Sequence, residues 1–252
     1  MSTFDNKNRW EARKSLWSAT CIIGKREHMS SEYIETDTVI IGAGLAGVLT
    51  AYMLKSYGIE TIVVEANQIG CGVTQNTTAK ITSQHSTLYH KLVNDFGTEK
   101  AAQYARANEW AIAKYRQMAA EMKIDCDMLE MPSFLYTLED EHVDIIRAEA
   151  EAASSLGIPA VFMDEGELEK GNEGWGLPFS ARAAVRFDRQ AQFHPLKFLK
   201  AVAADLPVFE DTRVLDVELE GGGTGFVNGE KSILTTNRGR ISARNVVKIL
   251  FS

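Results

Sequence analysis

The chain is short of cysteine, has no excess of basic charge and contains no long apolar run, and each shortage removes a class of protein. Cys21, Cys71 and Cys126 are its three cysteines in 252 residues. Their odd number and wide spacing support neither a disulfide framework nor a CxxC metal site, and they fit a reducing cytoplasm. Lys and Arg number 27 against 34 Asp and Glu, a formal net charge of −7. A nucleic-acid surface needs clustered basic residues, and no such stripe with interleaved aromatics occurs. The longest apolar stretch, Val39 to Leu54, holds three glycines and is too short to span a bilayer. Met1 to Trp10 carries charge where a signal peptide needs an apolar core. No short repeat or low-complexity segment interrupts the chain. These exclusions leave a soluble, intracellular globular protein, large enough for one big domain or two small ones.

What is present is a glycine pattern in the right surroundings. Residues 37–47 read Asp-Thr-Val-Ile-Ile-Gly-Ala-Gly-Leu-Ala-Gly, and Glu65 closes the next apolar run. The β-branched residues Thr38 to Ile41 predict a buried parallel strand. Leu45, Val48, Leu49, Tyr52 and Met53 then recur at helical spacing, and Gly58 stops that helix before a second strand at 59–64. A strand, a tight glycine turn, a helix and a strand ending in an acid are what an ADP moiety requires. Gly42 permits the sharp exit from the strand, Gly44 a close approach of backbone to pyrophosphate, and Gly47 close packing of helix on sheet. The helix N-terminus supplies unpaired N–H groups. Glu65 would accept hydrogen bonds from ribose hydroxyls.

The remaining chain divides by pattern. Residues 1 to about 35 read as a polar, loose arm with Ser15-Leu-Trp17 as a docking point. A glycine- and threonine-rich loop covers 70–80. Leu88 to Ile124 predicts two helices divided near Phe96-Gly97-Thr98, the second burying Ala102, Tyr104, Ala105, Trp110, Ala111, Tyr115 and Met118. Residues 128–137 suggest a short hairpin or strand pair turned at Pro132. Glu139 to Leu156 is an alanine-rich, acidic helix ended by Gly157, Ala183 to Asp188 a strand, and Pro195 to Leu206 a helix opening on proline. Strands are expected at 214–219, 225–227, 232–236 and 245–250, with turns at 221–223 and 237–239. This is an α/β chain with a nucleotide-binding start and a second, discontinuous module.

Three stretches carry a family resemblance: the glycine triplet with Ala51, Gly58 and Glu65; residues 72–85, Gly-Val-Thr-Gln-Asn-Thr-Thr-Ala-Lys-Ile-Thr-Ser-Gln-His; and 190–195, Gln-Ala-Gln-Phe-His-Pro, followed by Glu210 to Val214. The chain resembles the FAD-dependent oxidoreductases related to D-amino-acid and glycine oxidases, and within them the members that carry a C-terminal Rieske domain. The resemblance implies a discontinuous Rossmann-like FAD-binding domain from 36 to 252, incomplete at the C-terminus, with an inserted β-rich, α+β module and part of the substrate module at about 125–190. It implies that Gly42, Ala43, Gly44, Leu45, Ala46 and Gly47 line the pyrophosphate, with Glu65 and Ala66 at the adenosine ribose. Gly72, Thr74 and Thr78 would run past the pyrophosphate and ribityl chain, Lys80 would stand nearer the flavin, and the Val214 backbone would meet adenine. The small residues, hydroxyls and amides of that loop suit a cofactor laid along a backbone. Gln75 stands where a glycine is expected.

His85 and His194 are the tempting catalytic histidines, although each suits packing or hydrogen bonding better. The acidic run 164–169 reads as a solvated helix start rather than a metal site. Residues 245–252 begin like the last Rossmann strand, place Lys248 at an apolar position and stop, and no cysteine has a histidine two or three positions later, as a Rieske site requires. The chain is therefore expected to be an N-terminal portion of such an enzyme. Its expected activity is hydride removal by FAD from a C–H bond beside an amine or hydroxyl of a small-molecule substrate. A separate electron acceptor or a complementing C-terminal segment would be its partner, with no role for nucleic acid, membrane or metal. Two alternatives stand beside it: a non-catalytic truncated remnant that binds nucleotide weakly or needs a complementing chain, and a nicotinamide dehydrogenase, against which the loop at 70–82 argues.

Overall fold

The computed structural model describes residues 14–170, 180–219 and 231–249. The chain divides into two compact units, one ending at Thr78 and resuming at His194, the other running from Ala79 to Phe193. Among the described residues, no helix is long and apolar enough to cross a membrane.

The first unit is built on β1 (Tyr33–Ile41), α2 (Leu45–Ser56) and β2 (Thr61–Val64), preceded by the short α1 (Leu16–Thr20). Val39 and Ile40 are fully buried, and all four residues of β2 are buried, as strands covered on both faces must be. β1 pairs in parallel with β2, placing Ile41 beside Val64. Outward from β2 lies β9 (Val208–Phe209); on the other side of β1 come β12 (Arg240–Lys248), β11 (Ser232–Thr236) and β10 (Val214–Leu219). The order β10-β11-β12-β1-β2-β9 is parallel from β12 to β9 and antiparallel from β10 to β12. A Rossmann-like parallel core therefore carries an antiparallel flank. Met29, Val39, Ile62, Val64, Leu234, Ile241 and Ala243 form one buried cluster of this unit.

β12 starts five residues before the expected strand at 245, because the turn at 237–239 feeds it directly: Thr236 N–H donates to Gly239 O at 2.8 Å. Lys248, expected at an apolar position, is exposed and lies opposite Ile41. The helix beginning at Pro195 ends at Val202, so α6 (Pro195–Val202) is shorter than expected. The expected turn at 221–223 and strand at 225–227, with residues 1–13 of the arm, lie outside the described residues.

The arm that is described is not loose. Arg26 donates through its guanidinium to the carbonyls of Ala203 and Ala204, Met29 is 1% exposed, and Arg240 N–H donates to Glu32 O at 2.8 Å. A polar segment can be held tightly when its hydrogen bonds go to fixed backbone, which composition does not reveal.

The second unit holds two three-stranded sheets, β3-β8-β4 and β5-β7-β6. Their strands are β3 (Lys80–Ile81), β4 (Leu129–Glu130), β5 (Ser133–Thr137), β6 (Ala160–Asp164), β7 (Ala183–Phe187) and β8 (Ala191–Gln192). The strand pair expected around Pro132 is corrected here: β4 pairs with β8 and β5 with β7, so the proline separates two sheets instead of turning a hairpin. The helix α3 (Leu88–Glu121) is broken at Gly97, where φ is +80°, as the sequence predicts. Its buried face holds Ala105 and Met118, together with Ala101, Ile112 and Ala119, but Trp110 is 61% exposed. A stripe one helical position away takes the core, and Trp110 falls outside it. A 3-10 turn at Asp140–His142 opens α4 (Val143–Ser155), which packs on β7 through Ile146, Ala150 and Ala153.

Candidate functional site

The turn between β1 and α2 is shaped by contact between its own glycines. Gly42 has φ +109°, outside the range of ordinary residues, and a Cβ on Gly47 would lie 1.9 Å from the Gly42 carbonyl oxygen. That contact presses the first turn of α2 against the end of β1. Gly44 is the N-cap, with no side chain to bond the helix amides. Among the described residues, the N–H groups of Gly44, Ala46 and Gly47 have no acceptor. Three unpaired donors at a helix N-terminus make an anion cradle.

Two groups border the cradle and retain capacity for a ligand. The Glu65 carboxylate accepts Ala43 N–H at 2.9 Å through one oxygen and Asn67 N–H at 2.9 Å through the other. An ionised carboxylate has about four acceptor sites, so each oxygen keeps one for a hydroxyl. The Thr74 hydroxyl, almost buried, accepts Leu45 N–H at 3.0 Å and retains its proton as a donor. Among the described residues, Thr74 Oγ1, at 3.3 Å, is the neighbour a Cβ on Gly44 would meet.

The loop after Glu65 is laid over this turn. Gly70 N–H donates to Ala43 O at 3.0 Å, and residues Val73–Asn76 form a 3-10 turn. Gln75 takes no special backbone angle; its side chain donates to Cys71 O and its N–H to Gly70 O. The glycine expected at that place is not needed, because the 3-10 turn suits any residue. Gly72 is exposed and caps the turn. Thr212 N–H donates to Glu65 O at 2.9 Å, which brings the start of β10, and so Val214, to the end of β2 where Ala66 follows. The structure thus gathers Gly42 to Gly47, Glu65, Ala66, Thr74 and Val214. Thr78 is exposed, and Lys80 opens the second unit as the exposed first residue of β3.

Both candidate histidines have hydrogen-bonding partners among the described residues. His194 caps α6, its Nδ1 accepting Lys197 N–H at 3.3 Å, while Nε2 meets Thr20 Oγ1 at 3.0 Å. His85 is exposed beside the Tyr104 hydroxyl at 3.4 Å. The acidic run at 164–169 is a helix start: Asp164 and Glu167 each accept the other's N–H, at 2.9 and 3.0 Å, before α5 (Glu165–Lys170).

Two buried carboxylates carried no assigned role in the sequence. Glu210, 1% exposed, accepts Arg26 N–H at 2.9 Å and Ile69 N–H at 2.8 Å. Glu149, fully buried, accepts the N–H groups of Tyr89 and His90 at the start of α3, and burial pushes its carboxyl above the ordinary value. The signal for Glu149 was present: it lies in step with Ile146, Ala150 and Ala153 on an apolar helix face.

Comparison with known proteins follows the same line. The model of the FAD dependent oxidoreductase (DAO) family matches residues 37–248. A Bacillus subtilis (strain 168) protein named as a Rieske 2Fe-2S iron-sulfur protein is 32% identical over 243 residues, covering 94% of this chain and 44% of that protein. Glycine oxidase from Bacillus cereus ATCC 14579 superposes with TM-score 0.62 at 18% identity, covering 84% of this chain and 54% of that one. L-proline dehydrogenase from P. horikoshii gives TM-score 0.65 at 19% identity, covering 86% and 53%. The chain spans about half the length of each relative. The two superpositions speak for the fold alone.

Proposed function

The chain belongs to the FAD dependent oxidoreductase family, and from that premise we propose that the turn between β1 and α2 holds the ADP half of FAD in an oxidoreductase of small amines or hydroxy acids. The observation that carries this reading is the set of N–H groups at Gly44, Ala46 and Gly47, unpaired among the described residues, beside a carboxylate with acceptor sites to spare. Those donors suit a pyrophosphate, and the N-terminal end of α2 adds roughly 0.3–1 kcal/mol of attraction for negative charge. Gly42, Ala43 and Leu45 complete the turn. Glu65, followed by Ala66, would take the ribose hydroxyls. Thr74 would donate its proton to a phosphate oxygen, Gly72 and Thr78 would pass along the ribityl chain, and the Val214 backbone would meet adenine. Lys80 is assigned to the flavin end.

Bound FAD supplies a hydride acceptor, and the protein's part is position and electrostatics. No side chain of this chain need act as a base. The separate electron acceptor belongs to the same proposal, as does a cytoplasmic setting, which the odd number and wide spacing of Cys21, Cys71 and Cys126 support. Adding FAD to the purified chain and following its visible spectrum and fluorescence tests the reading; micromolar binding is expected. Absence of binding, or displacement of FAD by equimolar NADH, would overturn it.

A further inference from the structure

The segment before β1 lies outside the stretch matched by the family model, which begins at residue 37, yet it is bonded to both ends of the loop that crosses the cradle. At the far end the Trp17 indole N–H donates to Thr77 O at 2.8 Å. Its ring stands edge-on to His194 at 5.0 Å, and Thr20 in the same short helix meets the same imidazole. At the near end Glu210 joins Arg26 N–H to Ile69 N–H through its two oxygens. Lys25 pairs with Asp211 at 2.8 Å beside it.

This is more than a polar segment needs in order to lie on a surface. A buried carboxylate costs free energy unless its oxygens are bonded, and here one bond goes to the arm and the other to the loop. Between Ile69 and Thr77 the loop makes its contacts with the cradle, from Gly70 to Ala43 and from Thr74 to Leu45. A loop tethered at each end has less conformational freedom to lose on binding, and preorganisation of that kind raises affinity.

We propose that residues 15–26, with Glu210, form a clasp that holds the loop at 69–77 against the dinucleotide turn, so that Trp17 and Glu210 are positioning residues for retention of FAD. The inference rests on the reading that the cradle takes FAD. The clasp touches no reacting atom; it acts through Ile69 and Thr77.

The test uses the full chain carrying W17F, which keeps an aromatic ring against His194 and removes the indole donor, or E210Q, which weakens the bridge. Amide hydrogen exchange in residues 70–78 is measured without FAD, and the FAD dissociation constant by flavin fluorescence. Loss of a bond worth about 1 kcal/mol predicts exchange faster by roughly five- to tenfold in that loop, with FAD bound more weakly by a similar factor. Exchange in α4 should not change. Unchanged exchange in W17F would overturn the clasp, as would a loosened loop that binds FAD as tightly as before. If E210Q fails to fold, W17F decides. A wild-type chain with no affinity for FAD would overturn the cofactor reading itself, and the exchange comparison then still decides whether the arm holds the loop.

Discussion

Gly47 approaches Gly42 so closely that a single added carbon would collide: a Cβ at Gly47 would stand 1.9 Å from the Gly42 carbonyl oxygen. The oxygen belongs to backbone and the position of a Cβ is fixed by backbone, so neither can swing aside. Gly47→Ala should therefore force α2 away from β1 at a cost of about 1–3 kcal/mol or more. Gly72 is the control, because a Cβ there meets nothing within 4 Å and its φ is −85°. Thermal melts should show a clear loss for G47A and a change within about 0.5 kcal/mol for G72A. Equal melting of the two variants would mean that the close contact does not shape the turn.

Glu65 should contribute to FAD affinity through charge-assisted bonds. In E65Q one oxygen becomes a donor, so an acceptor for ribose is lost and the bond from Ala43 or Asn67 is weakened. Hydrogen bonds to charged groups are worth about 1.5–3 kcal/mol, so the dissociation constant for FAD should rise by at least about tenfold. FMN lacks the adenosine half and should bind both proteins alike. Fluorescence titration of each flavin makes the comparison, and an E65Q protein that binds FAD as well as wild type removes Glu65 from the site.

His194 is read as a cap, which separates it from a catalytic histidine by rescue. H194A removes the acceptor for Lys197 N–H and the partner of Trp17. A lost N-cap costs about 1 kcal/mol, a fall of about 2–4 °C in melting temperature for a chain of this size. H194N should recover most of it, since asparagine is a strong cap. H85A, at an exposed position, should stay within about 0.5 kcal/mol of wild type. Circular-dichroism melts measure all three; an asparagine variant as unstable as the alanine one would count against the cap.

The parts of this chain that were legible in sequence are those whose residues answer to local geometry. The β1 turn was legible because Gly42, Gly44 and Gly47 each meet a backbone demand, and Glu65 follows at the spacing a second strand imposes. The break at Gly97 was legible for the same reason. What stayed hidden depends on partners far away in sequence. β4 and β5 are three residues apart but pair with Gln192 and with β7, and nothing local says so. Trp110 has the right spacing for a core face, yet which stripe of a helix is covered is decided by what packs on it. Glu210 stands in one of the stretches that carry the family resemblance, but only its two backbone donors, at Arg26 and Ile69, reveal it as buried structure.

Glu149 predicts a pH dependence with a definite sign. Burial raises its pKa above the ordinary 4.5, opposed by the weaker effect of the amides of His90 and Tyr89 that favour the ionised form. A group whose pKa is higher folded than unfolded binds more protons in the native state, so its stabilisation falls as pH rises. The contribution is complete below the unfolded value and is lost as pH rises through the raised native one. In E149Q the side chain cannot titrate, but its amide oxygen still accepts from the start of α3. The unfolding free energy of wild type minus that of E149Q, from urea titrations, should therefore be greatest in acid, decline above pH 4.5 and then level off. E149L leaves the buried N–H of Tyr89 and the partly buried N–H of His90 without their acceptor and should lose about 1–3 kcal/mol for the buried one alone, at every pH. A wild-type advantage over E149Q that grows with pH would mean the carboxylate stabilises α3 as an anion, against the effect of its burial.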